Sequence, residues 1–161
     1  MKKKLLGLTL EELKAICLEE KLPAFTAKQI CQWLYQKRVV SFSAMTNLSL
    51  KTRQLLDEKF EIGAVPFFKF AQSKDGTRKY LFEISEGNYI EAVMIPDGDR
   101  KTLCVSSQAG CRMNCRFCMT GRQGFHGNLD TAQILSQFFF IAEAEELTNA
   151  VFMGMGEHLP L

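Results

Sequence analysis

Three cysteines lie within eight residues of the sequence, at Cys111, Cys115 and Cys118. Their C-x3-C-x2-C spacing lets one short loop turn all three thiolates toward a single soft metal centre. Four protein ligands would complete a structural zinc site or saturate an iron–sulfur cluster, whereas three leave one metal valence free for another molecule. The spacing therefore favours an iron–sulfur cluster. The alternatives are a zinc site completed by His126 and ordinary buried thiols.

A second loop with ligand-binding character is Gly154-Met-Gly-Glu157. A predicted strand over 101–108 leads into the cysteines, an apolar helix follows from Leu129-Asp130-Thr131, and 150–153 has the composition of a short buried strand. This order predicts a βαβ unit with parallel strands, whose carboxyl ends carry both loops. Glycine lets a ligand approach the backbone closely, and Glu157 can pair with a cationic amine. Taken alone, Gly-x-Gly-Glu is also compatible with a simple tight turn.

One carboxylate interrupts the apolar strand predicted at Tyr89–Ile95. Glu91 shares a strand face with Tyr89, Val93 and Ile95 and is the only charge on either face. Loss of solvation among apolar neighbours would raise the pKa of Glu91 and suit it to acid/base catalysis. From the residues alone, an edge-strand glutamate that reaches water is the favoured interpretation.

The sequence predicts an α/β fold in three segments. Residues 1–63 form a helical module, with capping boxes at Thr9 and Thr26 and a third helix opened by Ser49 that carries Phe60. Residues 64–100 form an antiparallel β meander, and residues 101–161 form the βαβ unit. Its helix is predicted to run through Ala142.

Composition sets limits on function. An apolar fraction of 47% supplies a core, and 20 basic against 18 acidic residues give a net charge of only +2, so the whole chain has no general bias toward nucleic acid. No apolar run approaches the roughly 20 residues of a membrane span. Six cysteines are expected to be ligands, catalysts or core in the cytoplasm, with Cys17 and Cys31 in the core. Between residues 100 and 127 the charges are all basic, which suits either RNA contact or a solvated loop balanced by Asp97 and Asp99. These basic residues are Arg100, Lys101, Arg112, Arg116 and Arg122.

The two loops together resemble the radical S-adenosylmethionine superfamily. Over residues 5–157 the chain is further similar to the RlmN family within it, the methyltransferases of adenine C2 in 23S ribosomal RNA and transfer RNA. The segments that carry this similarity are Ala27–Tyr35, Met45–Leu48, Ile95–Arg100, Leu103–Cys111 and Gly124-Phe125.

The resemblance implies roles for particular residues. The three cysteines would hold a [4Fe–4S] cluster, and Gly156 and Glu157 would belong to the S-adenosylmethionine pocket. Glu91 matches the family's proton acceptor, and Cys104 matches the cysteine that resolves a protein–RNA adduct. The helical module would be an accessory RNA-binding domain. The implied partners are RNA and an electron donor such as flavodoxin, for a protein that is monomeric at full length and not membrane-bound.

The resemblance also predicts an incomplete enzyme. The family's methyl-carrying cysteine lies near the C-terminus of a longer chain, and after Glu157 the family continues Pro-Leu where this sequence has His158-Leu-Pro-Leu161. His158 is therefore not expected to be functional. The start of a truncated (β/α) barrel would leave an open apolar sheet edge, so poor solubility and no activity are expected of this chain alone. Two alternatives remain open: a Cfr-type methyltransferase of adenine C8, and a non-catalytic zinc or RNA-binding module.

Overall fold

In the computed structural model, which describes residues 2–157, the chain divides into two units between Ala64 and Val65. The first unit is mainly helical. Its elements are β1 (Lys3–Lys4), α1 (Leu10–Glu19), α2 (Ala24–Tyr35), a 3₁₀ turn (Phe42–Ala44), α3 (Leu50–Lys59) and β2 (Phe60–Glu61).

Local capping explains where two of these helices begin. The Thr9 side chain accepts from the Glu12 amide (3.3 Å), and the Glu12 carboxylate accepts from the Thr9 amide (2.7 Å), which completes the predicted capping box of α1. Ser49 caps α3 by accepting from the Thr52 amide at 3.1 Å. Cys17 is buried, as predicted.

Four predictions for this unit are wrong. Helix α2 begins at Ala24 behind Pro23, whose fixed φ suits a helix start, and Thr26 is buried inside the helix instead of capping it. The module is not purely helical, because β1 pairs in parallel with β2, and Phe60 belongs to β2 and not to α3. Two-residue strands are too short to show a sequence period. Cys31 is only half-buried.

The second unit contains a five-stranded sheet in the order β3-β4-β5-β6-β9. Its elements are β3 (Phe67–Gln72), β4 (Arg78–Ser85), β5 (Asn88–Asp97), β6 (Arg100–Cys104), β7 (Gln108–Gly110), α4 (Met119–Arg122), β8 (Phe125–Asn128), α5 (Thr131–Phe139) and β9 (Asn149–Val151). Strands β3 to β6 are antiparallel, whereas β6 and β9 are parallel, as the βαβ pattern predicted. The predicted meander and βαβ segments thus share one sheet.

One face of this sheet forms the core of the unit. Tyr80, Phe82, Ile90, Ala92 and Leu103 are all fully buried on it, and they pack with apolar residues of α5 and its flanks. The alternation is the period of two expected for a sheet covered on one side. Among residues 2–157, strand β9 lies at one end of the sheet order, and Phe152 and Met153, which follow it, are exposed.

Two predicted elements have different boundaries. The strand predicted over 101–108 breaks after Cys104, and Gln108–Gly110 pairs instead with β8 in a separate two-stranded sheet. Helix α5 ends at Phe139, before the predicted Ala142, because the Ala142 amide donates to the phenol oxygen of Tyr80 (3.3 Å) instead of continuing the helix. No helix within residues 2–157 combines the length and apolarity needed to cross a bilayer.

A buried polar cluster fastens the chain after α5 to the sheet. The Tyr80 hydroxyl donates to Glu143 Oε2 (2.6 Å), and Arg78 pairs with Glu143 Oε1 (2.5 Å). Burial, with the neighbouring Glu143 carboxylate, raises the pKa of Tyr80 above its usual range. The neutral phenol therefore stabilises the fold below its ordinary pKa of about 10, and that contribution is lost as pH rises through the raised value.

Tyr80→Phe should lower the free energy of opening of the second unit by about 1–3 kcal/mol, because it leaves one oxygen of a buried carboxylate without its donor. Amide hydrogen exchange in β4 and β5 measures this unit separately. Tyr89→Phe, which changes a phenol that is 38% exposed, is the matched control and should alter the value by less than about 0.5 kcal/mol. Equal effects of the two changes would contradict the role given to the cluster.

Candidate functional site

The three predicted metal ligands lie on one loop between β7 and α4. Cys111 N–H donates to the Gly124 carbonyl, and Cys118 N–H donates to the Cys115 carbonyl, both at 3.0 Å. Gly110 precedes the loop with φ +70°, and a Cβ there would lie 1.7 Å from the Gly124 oxygen. Only glycine fits at this position, so the loop closes directly over the start of β8.

The structure brings the cysteine loop and the Gly-x-Gly-Glu loop to one cavity. All three cysteines border a space of about 400 Å³ together with Gly154, Gly156 and Glu157. The cavity lies beyond the carboxyl ends of the parallel strands β6 and β9, where the βαβ pattern predicted a ligand site.

The cavity has the chemistry of a soft-metal site. Hydrogen bonds from the Gly121 and Thr120 amides favour the thiolate of Cys118, because they lower its pKa below its usual range. Within residues 2–157 no three His, Cys, Asp or Glu side chains are already grouped closely enough to hold a metal ion. Ligation by all three thiols therefore requires the cysteine side chains to turn toward the space they border. Three sulfur donors fit an iron–sulfur cluster with one open iron position.

The Gly-x-Gly-Glu loop lies directly on the segment Val105–Gln108. Gly154 N–H donates to the Val105 carbonyl (3.0 Å), and the Met155 carbonyl accepts from both the Ser107 and Gln108 amides (2.9 and 3.1 Å). A Cβ at Gly156 (φ +102°) would lie 2.6 Å from the Gln108 side chain. The glycines thus admit the chain's own segment Val105–Gln108, whereas the sequence predicts either the approach of a ligand or a simple tight turn.

Glu157 is held by its backbone and leaves its side chain exposed. Its amide donates to Gln108 Oε1 (3.3 Å), and Gln108 Nε2 donates to Asn128 Oδ1 (3.0 Å). The carboxylate therefore stands at the rim of the cavity with its oxygens accessible to a cationic group.

Buried polar residues that sequence reasoning missed support this arrangement. Ser106 and Gln137 are both fully buried. Ser106 N–H donates to Gln137 Oε1 (2.8 Å), Gln137 Nε2 donates to the Ser106 carbonyl (2.9 Å), and the Ser106 hydroxyl accepts from the Met155 amide (2.8 Å). The available signal was the position of Gln137. It lies on the same face of the predicted helix as Ile134 and Ile141, where an apolar side chain would be expected.

Glu91 and Cys104 lie on the sheet face opposite the core. Val93 pairs directly with Cys104, and Glu91 is two residues from Val93, so all three side chains share that face. Glu91 is not desolvated as its apolar neighbours suggested: its side chain is 41% exposed and pairs with Lys79 at 2.9 Å. The edge-strand alternative is right that the Glu91 side chain reaches water and wrong that the strand is an edge, because β5 lies between β4 and β6.

Several of the basic residues between 100 and 127 interact with other residues of the chain. Arg100 pairs with Asp97 (2.7 Å), and Lys101 pairs with Glu146. The Arg112 guanidinium stacks on the Phe125 ring at 4.2 Å. These contacts support the solvated-loop interpretation for the first two residues.

His126 does not join the cysteines. Its Nε2 lies 3.0 Å from the Gln123 carbonyl, which can only accept, and its ring borders a different cavity of about 310 Å³. The structure therefore gives no support to His126 as a fourth zinc ligand. His158 lies outside the described residues.

Comparison with known proteins shows that this chain is similar to part of proteins named as RNA methyltransferases. The family model described as "Ribosomal RNA large subunit methyltransferase N-terminal domain" matches residues 3–62. The "Probable dual-specificity RNA methyltransferase RlmN" of Parabacteroides distasonis is 54% identical over 158 residues, which cover 98% of this chain and 46% of that protein. The protein of the same name from Phocaeicola vulgatus is 58% identical over 153 residues, covering 95% of this chain and 44% of the relative.

A solved structure agrees with these relatives. The crystal structure of a radical SAM methyltransferase from Sphaerobacter thermophilus matches with a TM-score of 0.85 and 36% identity, over 96% of this chain and 47% of that one. The α/β fold is therefore that of a radical SAM methyltransferase over the part matched. The chain spans about half the length of the curated relatives it matches, and over that length it is similar to the N-terminal part of proteins named RlmN.

Proposed function

We propose that this chain forms the N-terminal part of a radical S-adenosylmethionine methyltransferase that methylates C2 of adenosine in 23S ribosomal RNA and transfer RNA. The observation that carries the proposal is the single cavity bordered by three cysteines and by Gly154, Gly156 and Glu157. Similarity to the RlmN proteins supplies the reaction class, and RNA is the substrate because those relatives are dual-specificity RNA methyltransferases.

Cys111, Cys115 and Cys118 would hold a [4Fe–4S] cluster. With S-adenosylmethionine bound, this cofactor pair supplies the radical chemistry needed at an adenine carbon that simple nucleophilic transfer cannot reach. Glu157 presents a carboxylate at the cavity rim, suited to the cationic amino group of S-adenosylmethionine. Gly156 shares that rim, and its φ of +102° lets the backbone follow the cavity wall.

Glu91 and Cys104 would act on the RNA. As proton acceptor, Glu91 would take the proton from adenine C2. As resolving nucleophile, the Cys104 thiolate would attack the sulfur that links protein to RNA; the new S–S bond replaces the C–S bond, and the RNA-bound carbon leaves with the electron pair and is protonated to the methyl group. Their placement on one sheet face, on adjacent strands, supports both roles. The Lys79 ammonium fixes the Glu91 carboxylate above that face.

The complete reaction needs parts of the family's proteins that this chain does not span, above all the methyl-carrying cysteine. We expect the 161 residues alone to be inactive. The proposed partners are the RNA substrates and an electron donor such as flavodoxin, with a monomeric full-length enzyme. A cytoplasmic location is supported by six cysteines that are all free thiols. The mainly helical first unit is proposed to contact RNA.

Anaerobic reconstitution with iron and sulfide tests the metal site. We expect a brown protein whose reduced EPR signal changes when S-adenosylmethionine is added. Replacing Cys111, Cys115 or Cys118 by Ser should lower bound iron severalfold, because three thiolates are the minimum set for the cluster. Cys104→Ala is the matched control and should retain the iron.

Two outcomes would count against this assignment. Stoichiometric zinc without an EPR response to S-adenosylmethionine would favour a non-catalytic zinc module. Loss of iron in Cys104→Ala would make Cys104 a ligand and remove its proposed role on RNA.

Glu91→Gln should lower methylation by about 10²–10⁴-fold, because an amide cannot accept the proton. The assay uses this chain joined to the C-terminal part of the Parabacteroides distasonis relative, with ribosomal RNA as substrate. Iron content and the EPR response to S-adenosylmethionine should stay unchanged. Glu86→Gln, at an exposed turn, is the control and should keep full activity. Full activity of Glu91→Gln would exclude Glu91 as the proton acceptor.

A further inference from the structure

We propose that Ser106 is a positioning residue that fixes the Gly154–Glu157 loop relative to the strand carrying Glu91. This inference rests on the proposed function, because it assumes that the loop borders the S-adenosylmethionine site and that Glu91 serves the reaction. Ser106 itself touches neither cofactor nor RNA in this assignment. It acts through the two segments that it joins.

The Ser106 hydroxyl bonds to both segments at once. It donates to the Glu91 carbonyl at 2.6 Å and accepts from the Met155 amide at 2.8 Å. Ser106 is fully buried, so water does not offer replacement partners. One hydroxyl therefore sets the separation between the backbone of Glu91 and the backbone of the loop.

Gln137 holds Ser106 in place from the helix side. Its carboxamide accepts from the Ser106 amide (2.8 Å) and donates to the Ser106 carbonyl (2.9 Å), the pairing that a neighbouring strand would otherwise supply. Gln137 is fully buried on α5. A planar amide bonded at both ends leaves the backbone of Ser106 little freedom to shift, so its hydroxyl has a defined position.

The packing around the hydroxyl admits no displacement of the loop toward β6. A Cβ at Gly154 would lie 2.7 Å from Ser106 Oγ and 2.6 Å from the Val105 carbonyl oxygen. At Gly154 the loop already lies as close to Val105 and Ser106 as a residue without a side chain permits. If the hydroxyl is removed, the loop loses its side-chain link to the Glu91 backbone, while the Val105 carbonyl oxygen still limits how closely the loop can approach β6.

Ser106→Ala in the 161-residue protein tests the local contact without any cofactor. The Met155 amide loses its acceptor, so its hydrogen exchange should become at least about tenfold faster. Ser107→Ala is the matched control. Ser107 is also buried, but its contacts to Met155 and Leu129 come from its backbone, so Met155 exchange should not change. Unchanged Met155 exchange in Ser106→Ala would overturn the proposal.

Gln137→Met gives an independent variant. It keeps the side-chain size and removes both bonds to Ser106, so the Ser106 and Met155 amides should both exchange faster while amides in β4 and β5 keep their protection. Faster exchange at Ser106 with an unchanged Met155 would show that Gln137 does not position the hydroxyl, and would overturn that step.

The cofactor-level test is an EPR titration of the anaerobically reconstituted protein with S-adenosylmethionine. In Ser106→Ala the reduced cluster signal without S-adenosylmethionine should match the unchanged protein, because no cysteine is affected. The concentration needed for the S-adenosylmethionine-induced change should rise about fivefold to tenfold, as expected for a displaced binding loop. If Ser106 had only a general structural role, Ser106→Ala would change both the cluster signal without S-adenosylmethionine and the concentration of S-adenosylmethionine needed for the response.

The two possible failures are distinguishable. If the unchanged protein gives no response to S-adenosylmethionine, the proposed function fails. If the unchanged protein responds and Ser106→Ala responds at the same concentration, the proposed function stands and the positioning role of Ser106 is overturned.

Discussion

The backbone of Val105–Gln108 is buried at the point where β6 stops, and its polar groups must find partners there because an unmade buried hydrogen bond costs about 1–3 kcal/mol. Gln137 pairs with both backbone groups of Ser106, and the Met155 carbonyl accepts from the Ser107 and Gln108 amides. The arrangement of the second unit follows from this requirement. Helix α5 must present a glutamine inward, and the loop after β9 must lie directly against the segment.

The same requirement brings the two functional loops together. The segment continues through β7 into the cysteine loop, and the loop after β9 is bonded across it, so both reach the one cavity that Cys111 and Glu157 border. Glu91 is joined to the segment through the Ser106 hydroxyl. The proposed metal ligands, the proposed cofactor rim and the proposed base thus all depend on one short stretch of chain, whose own side chains are given no chemical role.

Sequence reasoning was reliable where a single local pattern determines the outcome. The Thr9 capping box, the hairpin strands and the parallel βαβ order each depend on neighbouring residues, and the structure has them. It failed where a residue's interaction partner is distant in the sequence. The pairing of Glu91 with Lys79 requires the register of β4 on β5, and the use of Gln137 requires knowing that β6 breaks after Cys104. Neither fact has a local sequence signature.

We propose that the three cysteines and the Gly154–Glu157 loop serve one metal-bound cofactor site. Anomalous diffraction at the iron edge, from crystals of the anaerobically reconstituted protein, tests it most directly. The account predicts one iron cluster in the shared cavity, ligated by Cys111, Cys115 and Cys118 alone, with its fourth iron facing the Gly154–Glu157 loop. Iron located elsewhere, or a fourth protein ligand such as His126 or Cys104, would contradict it.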